Sequence, residues 1–161
     1  MSVEFGDTTW ISKPVAGTTL AAAAAAISQM IEAAKTEWFP RYSYETTGDV
    51  ISSAAVTVKT QVTMPSWSGY GMASQAEKDE WDRFCTALRT HEQGHIQLVV
   101  DQLSGVDEQL VGKSVDGAAQ AWEDALSGLR SASDAYDDTT DHGRNQGTIV
   151  DVGVSAPASD S

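Results

Sequence analysis

His91-Glu92-Gln93-Gly94-His95 is the stretch of this chain whose residue types and spacing could do chemistry. On a helix, positions four apart lie one turn above each other on the same face, so two imidazoles in that register can hold one metal ion together. A carboxylate beside them, Glu92, can take a proton from a metal-bound water, which is the division of labour in zinc metalloproteases. Gly94 costs a helix interior about 1 kcal/mol relative to alanine, and a compensating use is the close approach of another backbone or of substrate.

Catalytic zinc takes three protein ligands and keeps one position open to water, so a third donor is required. The chain has 3 histidines, and the third, His142, lies in Tyr136-Asp137-Asp138-Thr139-Thr140-Asp141-His142-Gly143. His142 is the first choice of third ligand and Asp137 the second, because zinc accepts imidazole or carboxylate. Whichever does not bind metal can orient a ligand or hold substrate. Tyr136 is a candidate hydrogen-bond donor to the oxyanion formed when water attacks a peptide carbonyl, and it also continues an apolar stripe, where packing alone would explain it.

These residues need elements to position them. Ser74 followed by Glu77 fits a capping box, so the motif helix is expected to start at Gln75. Trp81, Phe84, Leu88, His91, His95 and Leu98 advance by three or four, which puts both histidines on the inward face. A last helix is expected from about Val115 to Tyr136 on the stripe Ala118, Trp122, Leu126, Leu129 and Ala132. A short connection should make it antiparallel to the motif helix and return its far end to the histidines.

Upstream, Thr8 to Ile11 fits a short strand before Lys13-Pro14, and Thr18 or Thr19 can cap a helix with Leu20, Ala24, Ile27, Ile31 and Ala34 on one stripe. Arg41–Thr46 and Val50–Met64 fit two antiparallel strands joined by a tight turn, the second alternating Ala54, Val56, Val58, Val62 and Met64 against Ser53, Thr57, Lys59, Gln61 and Thr63. Such a strand before the motif helix could bind extended peptide as a further strand, or be an ordinary member of the sheet. The expected fold class is α+β, a small antiparallel sheet packed with three main helices. Residues 1–147 are expected to form a single domain, and 148–161, rich in small residues, a flexible tail.

The net charge of −13, from 10 basic and 23 acidic side chains, argues against nucleic acid or an anionic membrane surface as partner. No apolar run approaches the roughly 20 residues that span a bilayer, and Glu4 and Asp7 stand where an export signal would be positive. Cys85 is the only cysteine, so no intrachain disulfide forms. It lies a turn and a half before His91, too far along the helix to close a four-ligand structural zinc site easily, which favours an open site.

The order of an alternating strand ending in Met64-Pro65-Ser66-Trp67, then Trp81, the H-E-x-x-H motif, and Tyr136-Asp137 followed by His142-Gly143 resembles the bacterial DUF922 family. That family is described as predicted secreted zinc-dependent proteases. The resemblance implies a zincin-like peptidase with Zn2+ on His91 and His95, Glu92 as general base, and a protein or peptide substrate. The rival expectation is a non-catalytic module in which metal ties the motif helix to the C-terminal segment.

Overall fold

The computed structural model describes residues 2–155. Four strands and four helices follow one another as β1 (Val3–Phe5), β2 (Thr9–Val15), α1 (Leu20–Ser28), β3 (Lys35–Thr47), β4 (Val50–Trp67), α2 (Gln75–Leu103), α3 (Val106–Leu110) and α4 (Val115–Thr140). The fold is α+β, with a small sheet and three main helices, α1, α2 and α4. Among the described residues, no helix is long and apolar enough to cross a membrane.

The sheet is ordered β1-β4-β2, and β3 also pairs with β4. The expectation of an antiparallel sheet is corrected: β1 pairs with β4 in parallel, with Val3 opposite Val56 and Phe5 opposite Val58. Parallel neighbours need a long connection, and the chain between β1 and β4 carries β2, α1 and β3, so the pairing is sterically open to it. β2 runs through Pro14 rather than stopping before it. It lies at the end of the strand order, where a residue without an N–H is tolerated. For its part, β4 continues past Pro65 to Trp67.

The chain divides into two compact units. The first comprises the residues up to Thr9, Thr36–Gln61 and Gly94–Thr139. Its core gathers the inward positions of β4, Ile51, Ala54, Val56 and Val58, with Val99, Leu103, Leu110, Trp122 and Leu129 from the helices. Tyr42 lies against Trp122 with ring centroids 4.7 Å apart. The link between α3 and α4 is tied to the start of β4 by Ile51 N–H donating to Lys113 O at 2.8 Å and Gly112 N–H to Ile51 O at 2.9 Å. Asp107 is buried in this unit, and among the described residues neither of its carboxylate oxygens has a hydrogen-bond partner.

The second unit comprises Trp10–Lys35, Val62–Gln93 and the chain from Thr140 on. The capping box forms as expected: Glu77 N–H donates to Ser74 Oγ at 3.2 Å, and Ser74 N–H to Glu77 Oε1 at 3.3 Å. The other Glu77 oxygen accepts the Leu20 amide at 2.9 Å, tying the start of α1 to the start of α2. Those amides, Leu20 first, hold the Glu77 carboxyl below the usual range. Thr19 caps α1, accepting the Ala22 amide at 3.1 Å. That helix ends at Ser28, so the expected stripe as far as Ala34 is cut short, and Ile31 stands fully exposed. Trp67, Trp81 and Phe84 pack in sequence as tilted rings at centroid distances of 5.7 and 5.5 Å.

Past α4, Arg83 donates to Gly147 O at 3.0 Å and to Ile149 O at 2.6 Å, and Glu80 accepts the Asp151 amide at 2.9 Å. The rest of the expected tail, 156–161, lies outside the described residues.

Candidate metal centre

Helix α2 runs unbroken through the motif, so His91 and His95 stand one turn apart, as the spacing demands. Both are buried, and Glu92 is buried at 3% exposure. Putting a carboxylate and two imidazoles inside a protein is costly unless they are held by partners or a metal. Two partners of His95 come from α4.

Ser133, Tyr136 and Asp137 occupy i, i+3 and i+4 of that helix, one face of one turn. Asp137 Oδ1 lies 2.9 Å from His95 Nε2, and Ser133 Oγ lies 2.8 Å from Nδ1. The Tyr136 ring meets the imidazole edge-on, with centroids 4.9 Å apart. Gly94 makes room for it: a Cβ there would overlap the Tyr136 hydroxyl.

His91 is held differently. Its Nδ1 lies 2.8 Å from Gln146 Oε1, on the 3-10 turn Arg144–Gln146 that follows α4. Gly143, at φ 85°, packs against the same ring; a Cβ on it would sit 2.9 Å from His91 Cγ.

His91, His95 and Asp137 each offer a donor atom, and these atoms lie within 4.8 Å of one another. That is a group able to hold a metal ion. Nδ1 of each histidine has a hydrogen-bond partner, Gln146 for His91 and Ser133 for His95, which orients both rings. Asp137 is the third member of this group, whereas His142, the first choice on residue type, is exposed and not among its members. Asp141 and His142 both adopt left-handed backbone, at φ 50° and 54°, as the chain turns out of α4. Cys85 also lies outside the donor group; its thiol is pushed up to about 11 by burial, with Asp82 adding to the effect, and a protonated thiol is a poor ligand.

Residues 12–143 match the DUF922 family, described as a bacterial protein of unknown function. The chain belongs to that family. No curated protein and no solved structure matches it. Within this DUF922 chain the matched residues include the two histidines, Glu92, Ser133, Tyr136 and Asp137, and they end before Gln146. Ser133 and Gln146 escaped the sequence reading. The first had a signal, a polar residue on the buried stripe four positions before Asp137. The second had none, since its place depends on glycine turns.

Proposed function

We propose that this DUF922 protein is a zinc-dependent metallopeptidase of zincin type, with His91, His95 and Asp137 as ligands and Glu92 as general base. The observation that carries the reading is the convergence of three donors within 4.8 Å beside a buried glutamate. Two imidazoles and one carboxylate suit zinc, and three protein donors rather than four leave a position for water. When bound, zinc would lower the pKa of that water toward neutrality and polarise a scissile carbonyl.

The chain's own groups do the rest. Glu92 accepts the proton of the attacking water and passes it to the leaving amine. Tyr136, ordered against Gly94 and His95, donates a hydrogen bond to the carbonyl oxygen as charge develops on it. Asp137, whose Oδ1 lies 2.9 Å from His95 Nε2, would hold the ion together with the two histidines.

The test is metal analysis together with peptide hydrolysis. Protein purified without chelator should carry about one zinc per chain. Glu92→Gln should keep that metal and lose turnover; normal hydrolysis by Glu92→Gln would remove Glu92 from the reaction. The same donor types also serve iron(II), so recovery of iron instead of zinc would turn the reading toward oxidative chemistry.

A further inference from the structure

We propose that Gln146 is a positioning residue for His91, fixing its tautomer, and that the segment Gly143–Asp151 is held on α2 by Glu80 and Arg83 in order to deliver it. This rests on the reading of His91 as a metal ligand and adds to the site a segment that runs on from the last family-matched residue, Gly143.

The argument starts from the two imidazoles, whose hydrogen bonds differ in kind. Ser133 presents a hydroxyl to His95 Nδ1, and a hydroxyl donates or accepts as required. Gln146 presents a carbonyl oxygen to His91 Nδ1, and that oxygen only accepts. That pairing selects the tautomer with its proton on Nδ1. In that tautomer Nε2 is left to face a metal.

Gln146 reaches that place through a tightly specified turn. Gly143 and Gly147 flank it at φ 85° and 94°, backbone conformations that favour glycine, and Gln146 N–H donates to Gly143 O at 2.8 Å. The Thr140 hydroxyl accepts the Gly143 amide at 3.1 Å and fixes the entry to the turn.

Downstream, the chain is pinned to the helix that carries His91. Arg83 reaches the carbonyls of Gly147 and Ile149, while Glu80 receives the Asp151 amide. Glu80 is buried and grips the Arg83 guanidinium with contacts of 2.6 to 3.0 Å. A paired charge that is also hydrogen-bonded to three backbone groups of the chain that follows the 3-10 turn is more than a surface ion pair. It sets where that segment lies two to three turns before His91 on α2.

The test uses the whole chain. In metal-free protein, long-range 15N spectra of the histidines should report His91 as the Nδ1–H tautomer, and Gln146→Ala should change that signature. Zinc affinity in Gln146→Ala should fall by roughly 10–100-fold, while Gln146→Glu, which restores an acceptor to Nδ1, should recover it. Arg83→Gln should weaken zinc binding in the same direction. The proposal is overturned if His91 is an Nε2–H tautomer, or if Gln146→Ala binds zinc like the wild type while His91→Ala does not bind. Failure of wild-type protein and His91→Ala alike to bind zinc would instead sink the metal reading and, with it, this proposal.

Discussion

The Tyr136 hydroxyl lies over the backbone of Gly94, in the space a Cβ would occupy. This explains a glycine inside a helix that otherwise has every reason to prefer alanine. The motif needs a gap at that position for a neighbour from α4, and Tyr136 fills it while packing edge-on against His95.

Gly94→Ala is therefore expected to have an effect whose sign depends on residue 136. In the wild-type background the overlap should cost about 1–3 kcal/mol, as forced overpacking does. In a Tyr136→Ala background the same change should stabilise by about 1 kcal/mol, the helix-propensity gain alone. Urea denaturation of the four proteins of this cycle measures it. Equal effects in both backgrounds would show that the two residues are not in contact.

Asp137 and His142 differ in what they stand to lose. Asp137→Ala removes a donor from the group of three and should weaken zinc binding by more than the roughly 10–100-fold that an outer partner of a ligand is worth. His142→Ala, at an exposed position, should bind as the wild type does. Competition with a chelator of known affinity gives both numbers, and the reverse result would exchange the two assignments.

What could be seen in the chain beforehand was what neighbours in sequence decide. The Ser74–Glu77 box and the stripe from Trp81 to Leu98 involve positions three or four apart, and α2 begins and faces inward as they require. The alternation of β4 was equally plain, with Ala54, Val56, Val58, Val62 and Met64 all buried. Long-range pairing was not. Val3–Phe5 is too short to carry a periodic signal, so its parallel place beside β4 went unseen. Between His142 and Asp137 residue type alone does not decide: Asp137 shares the donor group with His91 and His95, whereas His142 is one of two left-handed residues that follow α4.

Ser133 should matter through His95. Its hydroxyl is the partner of a buried ring nitrogen, so Ser133→Ala leaves Nδ1 without it at a cost of about 1–3 kcal/mol in stability. Zinc affinity should fall by roughly 10–100-fold, and Ser133→Thr, if the extra methyl is accommodated, should restore most of it. A Ser133→Ala protein with unaltered zinc affinity would mean that the ring needs no help from α4 to hold its orientation.

Asp107 presents the opposite case, a buried carboxylate with no hydrogen-bond partner for either oxygen among the described residues. Such a group is costly inside an apolar core. Asp107→Leu keeps roughly the volume and removes the unpartnered polar oxygens. The expected outcome is a higher midpoint of thermal unfolding at pH 7 by a few degrees; a lower one would mean that the carboxylate has a use inside the core.

The Glu80–Arg83 pair makes a prediction about acid. The Arg83 guanidinium holds the Glu80 carboxyl below the usual range, with the Asp151 amide helping. A folded-state pKa lowered in this way contributes stability that is present above the ordinary glutamate value of about 4.3 and is lost as pH falls through the folded-state value. The stability difference between wild type and Glu80→Gln should therefore be full at pH 7 and shrink steadily below pH ~4. Denaturation curves of both proteins across that range measure it. Since the pair also holds Gly147, Ile149 and Asp151, protection of the 143–151 amides from hydrogen exchange should fall in Glu80→Gln before the core of α2 loosens. Equal loss of protection in both places would show the segment and the helix opening as one unit.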